Sequence, residues 1–142
     1  MTNRTFFVLM CFMSIIAFTS TAHAQSSKKT ITLPNGEVIL DLTGEWDVHV
    51  ENYGRWSSAG NYPQLVKVTQ TGSSFVSIRM MSDPYNPKGA ESIRGELDKH
   101  GFKKVQIVSP EGPVEANGKI DDDGNRMVID SPDRTIQTFT RK

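Results

Sequence analysis

The sequence predicts an all-β domain, and two observations lead to that prediction. After residue 24, valine and isoleucine together outnumber leucine and alanine, and β-branched side chains fit a pleated surface better than a helix. Apolar residues also recur at every second position in short stretches separated by turns rich in Gly, Pro, Asn and Asp, a pattern typical of half-buried strands. We therefore expect an up-and-down antiparallel barrel of eight strands in which sequential strands pair.

The first 24 residues have the three zones of a secretory signal peptide. Arg4 precedes an apolar run over residues 6–18, and a tract of small and polar residues follows with Ala22 and Ala24 at the positions that signal peptidase prefers. We expect cleavage between Ala24 and Gln25 and export to the periplasm or the cell exterior. The apolar run is shorter than the roughly 20 residues that a membrane-spanning helix needs, so no membrane span is expected after cleavage.

Composition and charge narrow the classes of function. The whole chain has 16 basic and 16 acidic residues, and its single cysteine, Cys11, lies in the predicted signal peptide. A near-neutral chain has no long-range field that would attract nucleic acid or an anionic membrane. Without cysteine, the exported chain can form neither a disulfide framework nor a cysteine zinc site, so core packing alone must stabilise it.

Residues 25–43 are predicted to be a lead-in that precedes the barrel domain, which is expected over residues 44–142. The lead-in contains Pro34, Asn35 and Gly36 between two apolar stretches. Such a turn predicts a short hairpin or an extended segment.

Eight apolar stretches are predicted to be the barrel strands. The one over residues 91–97 has an alternative, because Ile93 and Leu97 are four residues apart and would share a helix face. Gly95 in its middle would cost a helix about 1 kcal/mol, so we predict a strand there. The alternating residues are Trp46, Val48 and Val50; Val66 and Val68; Val76, Ile78 and Met80; Ile93 and Leu97; Val105 and Ile107; Val114, Ala116, Gly118 and Ile120; Met127 and Ile129; and residues 136–141.

The connections between these strands sort onto two ends of the barrel, because alternate connections of a meander lie at opposite ends. The long ones, over residues 53–63 and 82–90, share one end, and the short turns at Gly72, Gly101 and Gly124 share the other. We call the first the looped end and the second the closed end. An asymmetric barrel is therefore expected.

The looped end carries the candidate binding residues, which we call the rim residues. Aromatic rings with polar atoms, together with two cations, on Pro- and Gly-rich loops are typical of a surface that binds a ligand or a partner. Alternatively, Trp56 and Tyr62 fold down over a barrel that its own side chains fill. The rim residues are Tyr53, Arg55, Trp56, Tyr62, Tyr85 and Lys88.

Two short features resemble a known family. Gly44-Glu45-Trp46 at the start of the first barrel strand resembles the G-x-W signature of lipocalins and related calycin barrels, and Arg141 in the last strand resembles their closing arginine. In that family the arginine packs across the tryptophan face at the closed end. The resemblance implies structural roles for Gly44, Trp46 and Arg141, and a lipocalin-like fold that commonly hosts binding functions.

The sequence contains few candidate metal-binding or catalytic residues. The acidic tract over residues 121–125 could suggest calcium, but Arg126 stands where the EF-hand spacing requires glycine, so a hairpin turn is expected. His49 should face solvent, and neither it nor His100 has companions at ligand spacing. We expect no metal, no cofactor and no enzymatic activity.

The leading hypothesis is an exported protein that binds a small apolar or amphiphilic molecule at the looped end. Apolar walls are expected from Val66 or Val68, Val76 or Ile78, Val105 and Ile107, while the rim residues would orient the ligand. The alternative is a protein-binding or inhibitory module that uses the same rim against a protein of the envelope or the cell exterior.

Overall fold

The computed structural model describes residues 28–142, which form a two-stranded hairpin followed by a closed barrel of eight antiparallel strands. The predicted signal peptide and its cleavage site lie outside the described residues. A 3₁₀ helix, Gly54–Ala59, interrupts the first barrel connection. The strands are β1 (Thr30–Thr32), β2 (Val38–Leu40), β3 (Gly44–Asn52), β4 (Tyr62–Thr71), β5 (Ser74–Arg79), β6 (Glu91–Asp98), β7 (Gly101–Ser109), β8 (Gly112–Ile120), β9 (Arg126–Ser131) and β10 (Thr135–Arg141).

The barrel is the up-and-down meander that the sequence predicts. Each strand from β3 to β9 pairs with the next along the chain, and β10 returns to pair with β3. Because β10 pairs with β3, the sheet has no open edge. The register of this pairing places Arg141 opposite Trp46. Among residues 28–142, no helix has the length and apolar character needed to cross a membrane.

The segment over residues 91–98 is a strand, as predicted, and its glycine explains the close packing there. Gly95 lies opposite Val105 of β7, and a Cβ atom at this position would overlap the carbonyl of Lys104. The backbones therefore approach where only glycine fits.

The closed end is covered by the lead-in and fastened by Arg141. The β1–β2 hairpin turns at Gly36, whose φ is 85°, and Ile39 and Leu42 behind it are fully buried. The Arg141 guanidinium lies 4.4 Å from the centre of the Trp46 ring and donates to the carbonyls of Thr43, Asp41 and Gly124 at 3.0, 2.8 and 3.2 Å. The contact that the family resemblance implies is therefore present.

The acidic tract is a turn of the closed end. The amide of Gly124 donates to the carbonyl of Asp121 at 2.9 Å, and the amide of Asp121 donates to that of Arg126. Gly124 has a φ of 70°, which only glycine adopts without strain. The prediction of a hairpin turn is confirmed.

The prediction for the third barrel strand was wrong about which face is buried. In β5, Phe75, Ser77 and Arg79 are buried, while Val76 and Ile78 lie on the outer face and are half-buried. The pairing of Ser77 with Val68 and of Arg79 with Val66 fixes this register, because side chains alternate between the two faces of a strand. Val76 and Ile78 therefore form no wall of the interior, and Met80 lies beyond the end of β5.

Polar residues occupy one half of the interior. The apolar core, which includes Trp46, Val68, Phe75, Leu97 and Phe139, extends to the closed end. The buried polar side chains all lie on strand segments that begin or finish at the looped end; they are Gln64, Ser77, Arg79, Ser92, Ser131, Thr135 and Gln137.

Candidate functional site

A cavity of about 400 Å³ lies at the looped end, beneath the two long connections. The half of the barrel at the looped end is therefore not filled by its own side chains, whereas apolar side chains pack the half at the closed end. The volume of the cavity lies within the range of small-molecule pockets, about 300–1,000 Å³. The lining residues come from the first two loops, from the β7–β8 turn and from the interior: Asn52, Arg55, Trp56, Ser58, Ala59, Tyr62, Arg79, Tyr85, Asn86, Ile107, Val108, Ser109, Pro110, Glu111 and Gln137.

Aromatic side chains from separate loops meet at the mouth of this cavity. Tyr62 and Tyr85 have ring centres 6.1 Å apart at an angle of 48°, and the Tyr85 hydroxyl donates to the carbonyl of Ala59 at 2.9 Å. Trp56 lies on the 3₁₀ helix with the Arg134 guanidinium 5.9 Å from its ring centre. The long connections therefore share one end, as the meander predicts, and together they form an aromatic entrance.

The 3₁₀ helix that carries Trp56 is held by the β9–β10 turn. The Arg55 side chain contacts the Asp133 carboxylate at 3.0 Å, and the Arg55 amide donates to the Asp133 carbonyl at 3.0 Å. Gly54 has a φ of 55°, and a Cβ atom there would overlap both the side chain and the backbone of Asp133. Close packing between the two loops thus fixes the position of the Trp56 ring.

Four of the six rim residues line the cavity, namely Arg55, Trp56, Tyr62 and Tyr85. Tyr62 is the first residue of β4 rather than part of a loop. Burial raises its pKa above the usual value of 10.0, and the nearby Asp83 carboxylate raises the pKa further.

The other two rim residues lie elsewhere at the same end. The Tyr53 hydroxyl donates to the Asp130 carboxylate at 2.9 Å, and this bond is the main cause of a raised Tyr53 pKa. The amide of Lys88 donates to the Ser82 hydroxyl, while its side chain is exposed and does not line the cavity. Neither residue is therefore placed to contact a ligand inside the barrel.

A buried ion pair joins the interior to the second long loop. Arg79 of β5 and Asp83 of the loop are 3.1 Å apart, with side chains only 3% and 1% exposed. The Asp83 carboxylate also accepts hydrogen bonds from the Gln64 side chain, from the Tyr85 amide, and from the amide and side chain of Asn86. Four neutral donor groups thus stabilise the carboxylate besides the guanidinium.

Arg79 is bonded less completely than Asp83. Its Nε donates to Asp83, one Nη donates to the Glu91 carbonyl and the other to the Val108 carbonyl. A guanidinium has five N–H donors, so two of those on Arg79 have no acceptor among the residues that the structure describes. Burial lowers the pKa of Arg79, and Asp83 opposes that shift. The residue lines the cavity with donor capacity to spare.

Several other buried polar atoms in the looped half also lack a partner among the described residues. They are the side-chain oxygens of Gln64, Ser77, Ser92, Thr135 and Gln137. Buried polar groups normally find partners, and an unpaired one costs about 1–3 kcal/mol. The looped half of the interior is therefore not optimised for stability alone.

Sequence reasoning missed the polar floor of the cavity. Arg79, Asp83, Gln64 and Gln137 were not among the candidate residues, because the face assigned to β5 was the wrong one. A cation at a strand end with a carboxylate four residues later was the one available signal for the Arg79–Asp83 pair. No signal pointed to Gln64 or Gln137.

Comparison of the chain with protein-family models, with curated proteins and with solved structures found no match in any of the three. Within residues 28–142, no three His, Cys, Asp or Glu side chains are grouped as a metal site would require. The arrangement at the looped end offers a partly open cavity, aromatic surface and unused hydrogen-bond donors, which are the requirements for holding a small molecule.

Proposed function

We propose that the protein binds a small amphiphilic molecule in the cavity at the looped end. One observation carries the proposal: a volume of about 400 Å³ remains between an aromatic entrance and a buried polar floor. Stability alone would favour apolar side chains that fill this half of the barrel, as they fill the other half. A ligand would supply the missing contacts, and we propose that the protein holds it without chemical conversion.

The ligand's apolar part would contact Trp56, Tyr62 and Tyr85, whose rings line the mouth, and Ile107 deeper in the cavity. Burial of aromatic and aliphatic surface supplies most of the affinity in such pockets. The hypothesis of an apolar interior is modified here, because β5 contributes Arg79 to the cavity in place of Val76 and Ile78.

Titration with Nile red, a neutral apolar dye, tests the proposal. We expect saturable fluorescence enhancement, a weakening of about tenfold or more in Trp56→Ala, and no change in Met81→Ala. Met81 is a matched control because it is exposed at the same end but does not line the cavity. Thermal unfolding of both variants shows whether they remain folded. Absence of saturable binding, together with a native mass spectrum free of adducts after purification from the protein's own host, would overturn the proposal.

We also propose that the chain is a distant lipocalin-like barrel. The contact between Trp46 and Arg141 supports this relation, as does the closed eight-stranded topology. In such barrels the open end holds the ligand, which agrees with the position of the cavity.

Export remains part of the proposal and depends on the sequence of residues 1–24. Edman sequencing or intact mass of the protein from its host should give Gln25 as the first residue. A mature chain that retains Met1 would contradict export by a cleaved signal peptide.

A second candidate is a protein-binding or inhibitory module of the cell envelope or exterior. Met81 and Tyr85 are 42% and 47% exposed on the same loop, and exposed apolar residues at one site favour a protein partner. If this is the function, Met81→Asp should abolish capture of an envelope protein and leave Nile red binding intact. Trp56→Ala should have the opposite pattern if the cavity is the functional site.

A further inference from the structure

Arg79 places a buried charged side chain in the cavity, whose entrance is aromatic. The side chain is 3% exposed, lines the cavity, and retains two N–H donors that have no acceptor within residues 28–142. Gln137, 4% exposed, also lines the cavity. The buried part of the lining therefore carries polar side chains, and a ligand group that binds them must enter ahead of the part that stays at the aromatic entrance.

The two groups of the Arg79–Asp83 ion pair differ in how completely the protein satisfies their hydrogen bonds. Asp83 binds four neutral donor groups in addition to Nε of Arg79, so its carboxylate remains well solvated by the protein. Arg79 is bound to Asp83 through Nε, and its two Nη atoms donate to neutral carbonyls. A buried guanidinium of this kind gains most from a second, charged acceptor, since charge-assisted hydrogen bonds are about twice as strong as neutral ones.

We propose that the ligand is a small carboxylic acid, bound with its carboxylate inward on the unused N–H donors of Arg79 and its aromatic or short apolar part between Trp56, Tyr62 and Tyr85. This inference rests on the proposed function and names the class of ligand. The planar guanidinium matches the two carboxylate oxygens. A cavity of about 400 Å³ lies toward the lower end of the usual range and suits a compact ligand.

The lowered pKa of Arg79 agrees with this assignment. Burial is the main cause of the shift, and the Asp83 carboxylate compensates for it only in part. A ligand carboxylate would add a second opposite charge and favour the charged form of the guanidinium.

The test compares two ligands that differ only in the inner group, 4-phenylbutyrate and 4-phenylbutyramide, each displacing Nile red from the full protein. We expect the acid to bind at least about tenfold more tightly than the amide at neutral pH. Equal affinities would overturn the carboxylate assignment while leaving the binding function intact. If Nile red itself does not bind saturably, the proposed function fails, and the two failures are thus distinguishable.

Variants locate the effect at Arg79. The double variant Arg79→Met with Asp83→Asn removes both charges together, so it leaves no unpaired buried charge. It should lose the preference for the acid, and the Nile red affinity of the same variant is measured as the reference for both displacements. Arg55→Gln is the matched control, because Arg55 lines the mouth but is exposed and paired with Asp133, and it should retain the preference. If the double variant retains the preference, Arg79 does not donate to the ligand's carboxylate.

A spectroscopic readout complements the variants. In the wild-type protein, addition of 4-phenylbutyrate should shift the side-chain Nε–H and Nη–H resonances of Arg79 in ¹⁵N-resolved NMR spectra, and 4-phenylbutyramide should shift them much less. A shift confined to Arg55 or Arg134 would place the carboxylate at the entrance and overturn inward binding.

Discussion

Removal of Arg141 should destabilise the barrel strongly. The variant Arg141→Met keeps most of the side-chain length but loses three hydrogen bonds to backbone carbonyls and a guanidinium 4.4 Å from the centre of the Trp46 ring. Hydrogen bonds from charged donors contribute about 1.5–3 kcal/mol each when buried and less when exposed, and the cation–π contact contributes about 0.5–2 kcal/mol. These bonds are only partly buried, and desolvation of the guanidinium offsets part of the gain, so we expect a loss of about 3–4 kcal/mol.

Urea denaturation followed by tryptophan fluorescence measures this loss. Arg126→Met is the matched control, because Arg126 lies at the same end, is 51% exposed and contacts Asp121 only at 4.0 Å. Its free energy of unfolding should fall by less than about 0.5 kcal/mol. Arg141→Lys should recover less than half of the loss, since an ammonium group cannot reach all three carbonyls. A loss below about 1 kcal/mol in Arg141→Met would refute the view that this residue fastens the closed end.

Three further outcomes are expected. Gly54→Ala should destabilise the protein by about 2–4 kcal/mol, because φ is 55° and the new Cβ atom would overlap the β9–β10 turn. Gly60→Ala should cost less, about 1–2 kcal/mol in the same urea assay, because its φ of 69° and ψ of −179° strain any other residue but the space around it is open. Gly118→Ala should also lower the urea midpoint, because the added methyl group would overlap the ring of Phe102. In the wild-type protein, stability should fall above about pH 10, because the raised pKa of Tyr62 keeps it protonated in the folded state while the unfolded state ionises, and Tyr62→Phe should make that fall shallower.

Each of these outcomes can fail in a definite way. Equal losses in Gly54→Ala and Gly60→Ala would mean that the contact with the turn is unimportant. An unchanged midpoint in Gly118→Ala would mean that Phe102 moves aside at no cost. If Tyr62→Phe and the wild type lose stability in parallel between pH 9 and 11, the ionisation of Tyr62 is not linked to folding.

The strand order was predictable because it depends on local signals. Alternating residues such as Trp46, Val48 and Val50 define a buried face, and turns such as the one at Gly124 separate the strands. Once strands are short and sequential, an antiparallel meander follows from connection length. Even the ambiguous segment around Gly95 was correctly predicted, because glycine disfavours a helix and is required by the close approach of β7.

The face of β5 was not predictable from the same rule. Phe75 lies on one face of the strand, and Val76 and Ile78 lie on the other. The face with two apolar residues is the one that the apolar pattern predicts to be buried, and this prediction is wrong. The structure buries Ser77 and Arg79 because a carboxylate from the following loop, Asp83, reaches the guanidinium at 3.1 Å. A loop contact of this kind leaves no periodic signal, and the polar floor of the candidate site was missed for that reason.

Two arginines, Arg79 buried and Arg141 half-buried, show how the ends of the barrel differ. Arg141 donates to three backbone carbonyls and packs on Trp46 at the end that the lead-in covers. Arg79 is paired with Asp83 of a loop and lines a cavity of about 400 Å³. Burial lowers the pKa of both residues, so each guanidinium is held at a cost. At the closed end three backbone carbonyls and the Trp46 ring compensate for the burial of the Arg141 guanidinium, although its Nε has no partner among the described residues. At the looped end Arg79 lines a cavity, in which we propose that a ligand accepts hydrogen bonds from its remaining N–H groups.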